Sequence, residues 1–313
     1  MADILVTGGA GFIGSHLVAR LVELDHRVVV LDDFSTGRRD NLAAVGDGYE
    51  LIEGDLRDAS LCERACRGIA FVFHQAAIPS VPKSVDQPGP SHDVNINGTF
   101  NLLRAAVAAK VRRVIYAASS SAYGNSEVSP KHESLPAAPL SPYAVQKYTG
   151  ELYGRAFFEC FGLETISLRY FNVFGHRQDP TSEYAAAIPA FVTAILRGES
   201  PMVYGDGEQT RDFTPVENVV HGNILAMETP HTRGEAVNIA CGGRISVNRV
   251  IATINEVSGT DVQPTFVPPR TGDVRHSCAD ISLAERLLGY RPSVSFADGL
   301  RGAIDYYRRL AGS

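Results

Sequence analysis

Thr7-Gly8-Gly9-Ala10-Gly11-Phe12-Ile13-Gly14 is the stretch on which the fold turns. An apolar run, Ile4 to Thr7, leads into it, and a helical pattern, Ile13 to Leu24, begins at its end. Glycine lets the chain turn sharply there, and a helix starting directly after the turn points its unpaired N–H groups at whatever lies above it. That arrangement suits a pyrophosphate. The string alone is common. What makes it specific is a second apolar run, Arg27 to Leu31, closed by Asp32 about 20 residues further on, where a carboxylate can accept from both hydroxyls of a ribose. A carboxylate there repels a 2′-phosphate, so the pattern predicts NAD rather than NADP. Arg38 and Arg39 lie close enough in sequence to serve a 2′-phosphate, and are read instead as solvated loop charges.

Further along, Ala70 to His74, Val114 to Ala118 and Glu164 to Tyr170 read as strands, with Tyr49 to Glu53 a weaker one; Gly98 to Ala109 and Pro142 to Phe161 read as helices. Strands alternating with helices predict an α/β fold, a Rossmann-type doubly wound parallel sheet. After about residue 175 the elements shorten, punctuated by Arg197-Gly198, Tyr204-Gly205-Asp206-Gly207 and Pro268-Pro269. This predicts a dinucleotide-binding domain over 1–175 that also carries the chemistry, and a smaller, mainly substrate-binding lobe over 176–313, the chain being free to cross between them. Helices are expected in that lobe near Pro215 to Met227, Val247 to Val257 and Phe296 to Leu310.

The 313 residues are 44% hydrophobic and 20% charged, enough for one large core or two unequal lobes. A net charge of −6 gives no basic field for nucleic acid, and no apolar run reaches the length of a membrane span. The N-terminus lacks a signal-peptide pattern, so a cytoplasmic protein is expected. Of five cysteines only Cys62 and Cys66 are close, with no histidines beside them, which argues for incidental thiols rather than a metal site.

Val114 to Ala118 runs into Ser119-Ser120-Ser121-Ala122-Tyr123-Gly124, and downstream lies Ser141-Pro142-Tyr143-Ala144-Val145-Gln146-Lys147. Pro142 suits the first turn of a helix, which sets Tyr143 and Lys147 on one face. A phenol with its usual pKa near 10 is a poor base at neutral pH, but an adjacent ammonium and a cationic nicotinamide favour the phenolate. Tyr143 could then take a proton from a substrate hydroxyl as hydride leaves the same carbon, with Ser119 bonded to that oxygen. Asp55, after the third strand, could cap an adenine or be a plain turn residue.

These residues resemble the extended short-chain dehydrogenase/reductases, and within them the UDP-sugar 4-epimerases of the UDP-galactose and UDP-N-acetylglucosamine type. The resemblance is carried by the glycine-rich start, Asp32, Asn95 in Asn95-Ile96-Asn97-Gly98, Ser119 with Tyr143 and Lys147, Arg169-Tyr170-Phe171-Asn172-Val173-Phe174-Gly175, Gly205 to Phe213, and Arg270-Thr271-Gly272-Asp273. It implies that Gly8, Gly11, Phe12, Ile13, Asp32, Asp55 and Leu56 contact NAD, with Ala76, Ala77, Asn95, Tyr143 and Lys147 lining it further along. It implies that Asn172, Arg211, Arg270 and Asp273 hold the UDP part, that Val203 and Tyr204 border the uracil, and that Ser119, Ser121, Tyr143, Ala186 and Ser277 face the sugar. It also implies a homodimer, paired through the helices at 98–109 and 142–161.

Related dehydratases resemble this chain yet carry Asp-Glu after the Ser119 position, and related decarboxylases carry a glutamate two residues before the Tyr-Gly. Here Ser120 and Ser121 stand at those places. A ketone formed at C4 then lacks a neighbouring catalyst for elimination, so reduction back, and hence 4-epimerisation, is the expected outcome. A dehydratase or another C5/C6-modifying relative is the alternative; a non-catalytic NAD-binding regulator is the alternative of another class, and the intact Ser119, Tyr143 and Lys147 speak against it. Serine at 277, where a bulky tyrosine is associated with enzymes restricted to UDP-glucose and UDP-galactose, predicts room for an N-acetylated sugar. Asp179, where UDP-glucuronate epimerases tend to place arginine, predicts repulsion of a sugar carboxylate.

Overall fold

Short runs of β-branched residues, buried on both faces, form the centre of the molecule. The structure is a computed structural model that describes residues 1–43, 45–179, 187–269 and 275–311. Its main sheet has seven strands: β1 (Asp3–Thr7), β2 (Arg27–Asp32), β3 (Tyr49–Glu53), β4 (Phe71–His74), β5 (Arg113–Ser119), β6 (Glu164–Tyr170) and β7 (Glu235–Ile239). They lie in the order β7-β6-β5-β4-β1-β2-β3, and every pairing is parallel. Parallel strands need cover on both faces, which is why Ile4, Leu5 and Val6 are all fully buried in succession. Chain direction across the sheet reverses between β1 and β4, so the loops leaving their carboxyl ends diverge and open a crevice.

Eight helices matter for the site: α1 (Phe12–Glu23), α2 (Val81–Asp86), α3 (Thr99–Ala108), α4 (Pro142–Phe161), α5 (Ala187–Leu196), α6 (Val216–Glu228), α7 (Val247–Ser258) and α8 (Phe296–Ala311). On one face Leu17 and Leu21 of α1 meet Val219, Ile224 and Met227 of α6 over the sheet. On the other, Leu102 and Leu103 of α3 and Phe157 of α4 cover Leu5, Val72 and Val114. The second lobe has its own core, in which α5, α7 and α8 contribute Phe191, Ile254 and Ile304.

Two features differ from the sequence reading. The seventh strand, Glu-Ala-Val-Asn-Ile, is too short and weakly patterned to be recognised by itself; its place is fixed by pairing from Glu235↔Ile166 to Ile239↔Tyr170. The chain therefore leaves the main sheet after β6 and returns to it through α6 and β7. The helix expected from Gly98 is preceded by one wider π turn, Asp93–Gly98, which moves its regular part to Thr99. Helix α4 spans its expected range: Ser141 accepts from the Ala144 N–H at 3.2 Å, Pro142 starts the first turn, and Gly162, at φ 71°, ends it.

Fully buried Arg113 ties the two returns together. It is paired with Glu164 and donates to the Ala226, Met227 and Thr229 carbonyls, capping the C-terminus of α6. Among the described residues no helix is long and apolar enough to cross a membrane, and no cluster of His, Cys, Asp or Glu suits a metal ion.

Candidate active site

The crevice is a cavity of about 1030 Å³. Its floor is built by close backbone approach. The Gly8 N–H donates to Leu31 O at 2.8 Å, and Gly8 sits at φ 69° with the β4 loop so near that a Cβ would lie 2.6 Å from Ala76 N. A Cβ on Gly14 would lie 2.0 Å from Gly8 O. Only glycine permits this packing, which brings the first turn of α1 to the cavity wall. Asp32 forms the wall beyond it: one carboxylate oxygen accepts from Ala10 N–H and the other from Phe34 N–H, each at 2.8 Å. Burial raises this carboxyl above its usual range, and the two N–H bonds oppose that. The group is fixed with lone pairs left over, as a ribose diol requires.

Of the two nearby arginines, Arg39 is engaged by Glu53 at 2.5 Å and lies 4.1 Å over the Phe34 ring, while Arg38, at the cavity rim, stands 3.7 Å from Asp40. Gly11, Phe12, Ile13, Asp55, Leu56, Ala76 and Ala77 all line the cavity. Asp55 is held by Arg57, which also keeps its carboxyl below the usual range. Asn95 stands behind the wall: its side-chain oxygen accepts from Ile78 N–H at 2.8 Å and its amide donates to Gln146 at 2.8 Å, so it shapes the β4 loop rather than lining the space. Glycine contacts, Asp32 and the exposed helix start together fit an NAD molecule.

At the opposite end, β5 delivers Ser119 and α4 delivers Tyr143 and Lys147. Ser84 of α2 accepts from Tyr143 N–H at 3.0 Å and so fixes the start of α4 against the cavity. Ser119 Oγ accepts from both Ser121 N–H (3.2 Å) and Ser121 Oγ (2.8 Å), leaving its own proton to donate elsewhere. The half-buried Tyr143 phenol is raised by burial, and the neighbouring Ser119 hydroxyl pulls it the other way. Lys147 is 4% exposed. Its ammonium donates to Ala117 O at 2.9 Å and lies 5.0 Å from the Tyr116 ring centre, and burial brings its pKa down to about 8.

Beneath it lies His74, bonded to Thr7 and Thr99 at 2.8 Å each. Because the Thr99 hydroxyl donates to Asn95 O, the His74 proton sits on Nε2 and Nδ1 accepts from Thr7. Burial first, then the charge of Lys147, push the His74 pKa down to about 3, so the floor under the lysine is neutral.

Of the described residues predicted to bind the nucleotide part, Asn172, Val203, Tyr204 and Arg211 all lie beyond β6, as does Ser277. Asn172, at φ 36°, donates to Asp212 O at 3.2 Å and accepts from Thr214 N–H, which ties it to the segment bearing Arg211. Arg211 donates to the Arg275 carbonyl, and Ser277 N–H donates to Thr210 O at 3.1 Å, so Arg211 and Ser277 are neighbours. Asp212 anchors this group: its fully buried carboxylate accepts from Cys241, Gly242 and Ala279 N–H. Tyr204 is half-exposed, whereas Val203 is wholly buried in the lobe's core. Ala186, Arg270 and Asp273 lie outside the described residues.

Residues 4–240 match the NAD dependent epimerase/dehydratase family. The chain belongs to that family. The cofactor that Asp32 predicts is therefore the one the family uses, and the seven-stranded parallel sheet is its fold. A UDP-glucose 4-epimerase of Mycolicibacterium smegmatis is 38% identical, with 97% of this chain and 98% of that one covered. Among solved structures, a UDP-N-acetylglucosamine 4-epimerase from Methanobrevibacter ruminantium, bound to UDP-N-acetylmuramic acid, is 40% identical with a TM-score of 0.95, covering 99% of both chains. The UDP-glucose 4-epimerase of Thermotoga maritima with UDP-glucose is 38% identical, with a TM-score of 0.93 and the same coverage. Proteins named dTDP-glucose 4,6-dehydratase and UDP-N-acetyl-alpha-D-glucosaminuronate decarboxylase also match, at 34% and 30%, so overall similarity does not choose the reaction.

Several cavity residues escaped the sequence reading. Gln75 and Tyr170 line it and are locked to Asn223 of α6 in one hydrogen-bonded group. Lys83 and Asp86 of α2 and Arg177 and Gln178 beyond β6 line it as well. No local pattern announces them; they are brought in by tertiary packing.

Proposed function

We propose that the chain catalyses NAD-dependent 4-epimerisation of a UDP-hexose through a transient 4-keto sugar. The observation that carries this reading is the catalytic end of the cavity: Ser119, Tyr143 and Lys147 converge, and the Ser119–Tyr123 segment beside them bears no acid. Cavity-lining carboxylates among the described residues are Asp32, Asp33, Asp55, Asp86 and Asp179, none of them on that segment. Elimination of water or loss of a carboxyl group needs an acid or base next to C5 and C6; return of hydride to C4 does not.

Bound NAD supplies the hydride acceptor in the first half of the reaction and the donor in the second. Tyr143 removes the proton of the 4-hydroxyl, Ser119 donates to the same oxygen, and the Lys147 ammonium favours the phenolate. When the 4-keto sugar has turned its other face to the cofactor, Tyr143 returns the proton. The diphosphate is held meanwhile by Asn172 and Arg211, with Arg270 and Asp273 assigned to the same set, and Tyr204 borders the uracil, while Val203, buried in the lobe's core, packs behind it rather than facing the base. Gly8, Gly11, Phe12, Ile13, Asp32, Asp55, Leu56, Ala76 and Ala77 hold the cofactor, while Asn95 acts from behind by shaping the Ile78 loop.

The substrate set we assign includes UDP-GlcNAc and UDP-GalNAc, because Ser277 and Ser121, the described residues assigned to the sugar, are small; Asp179 on the cavity wall disfavours a sugar carboxylate. Turnover of each UDP-sugar, followed by separation of the epimers, tests both levels. Ser277→Tyr should lose the N-acetylated pair selectively. Equal loss on both pairs would remove Ser277 from sugar selection, and an accumulating 4-keto product would replace epimerisation with dehydration. The homodimer is part of the same proposal, supported by apolar Val145, Leu152 and Phe161 exposed on α4. A monomeric mass in sedimentation at micromolar concentration would refute it.

A further inference from the structure

The segment after β6 crosses back over the start of α1, and it is locked there by side chains. His16 Nδ1 must donate to the Phe12 carbonyl, 2.8 Å away, so its Nε2 is the acceptor for the Nε2–H of His176 at 2.9 Å. The Tyr307 hydroxyl of α8 donates to Gln178 O at 2.6 Å from the other side. Between these two anchors stands Arg177, a non-glycine residue in the left-handed region at φ 63°.

Its guanidinium donates to Ser15 O, in the first turn of α1, at 3.1 Å. It lines the cavity together with Gly11 through Gly14. Half-buried, it forms no ion pair among the described residues, and burial lowers its pKa. A cation beside the positive end of a helix dipole is unfavourable, and among the described residues this one places a single donor of its five on protein. An anion between the guanidinium and the helix start would reverse both penalties.

We propose that Arg177 binds the pyrophosphate of NAD, facing the glycine-rich loop across the cavity, with the His16–His176 bond as the latch that positions it. The proposal rests on the reading of this cavity as the NAD site. It makes the cofactor site a joint product of the first strand loop and the returning chain, so that affinity depends on the second lobe's packing.

The test is isothermal titration of the full chain, freed of bound nucleotide, with NAD, ADP-ribose, adenosine and UDP. Arg177→Met should weaken NAD and ADP-ribose by about tenfold to a hundredfold, the range for a charged hydrogen bond, and leave adenosine and UDP within about twofold. Arg177→Lys, which keeps the charge and loses the fork, should fall between wild type and Arg177→Met, and His176→Phe should show a smaller loss of the same kind. Unchanged ADP-ribose binding in Arg177→Met, equal loss on adenosine, loss confined to UDP, or a lysine variant no better than methionine would each overturn the assignment. Wild-type protein that binds neither NAD nor ADP-ribose would instead defeat the reading of the cavity itself.

Discussion

Lys147→Met separates a catalytic cation from a stabilising one. The native pKa of about 8 lies roughly 2.5 units below that of a free lysine, and each unit is worth about 1.36 kcal/mol, so holding the charged form at pH 7 costs the fold about 3 kcal/mol. Methionine removes that cost but strands the Ala117 carbonyl, which accepts from Nζ at 2.9 Å; an unpaired buried acceptor costs about 1–3 kcal/mol. The two nearly cancel, and stability at pH 7 should change by less than about 2 kcal/mol while turnover falls at least about a hundredfold. The sign of the pH dependence is distinctive. Because the folded pKa is depressed, the unfolded chain binds the proton and the native chain does not between about 8 and 10.5; wild-type stability therefore gains about 3 kcal/mol relative to Lys147→Met as pH rises through that window, and loses it as pH falls. Urea unfolding of nucleotide-free protein at pH 7.5, 9 and 10.5 measures it. Parallel stability curves for the two proteins would refute the claim that burial holds Lys147 against its charge.

Tyr143→Phe should reduce kcat by about 10²–10⁴-fold with bound NAD and melting temperature nearly unchanged, since Ser84 holds the residue by its backbone; more than half of wild-type turnover would remove the phenol from the mechanism. Arg211→Ala should act chiefly on KM, because a diphosphate contact persists from ground state to transition state, and an unchanged KM would contradict its role. Arg113→Leu should cost about 3–5 kcal/mol in denaturant unfolding by leaving Glu164 and the carbonyls ending α6 without their partner; a loss under 1 kcal/mol would show that these groups find other partners.

Local chemistry makes the first half of the molecule legible in its sequence. The loop from Gly8 to Gly14 can only be glycine-rich, Asp32 stands at the distance from that loop expected of a ribose-binding carboxylate, and Ser141-Pro142 starts a helix whose period puts Tyr143 and Lys147 on one face. Each of these is a short-range constraint written into consecutive residues. Serine at 120 and 121 likewise bears on the reaction by simple absence of a carboxylate. Tertiary structure decided what depends on contacts distant in sequence. Strand β7 exists because β6 offers it an open edge, Asn95 faces the Ile78 backbone because a π turn rotates it there, and Gln75 joins the cavity through Tyr170 and Asn223. The arginine beside the glycine-rich loop comes from position 177, which no spacing rule connects to residue 11. Sequence fixes what a segment can become on its own; which segments share a site is set by burial of the two sheet faces, and that depends on the whole chain at once.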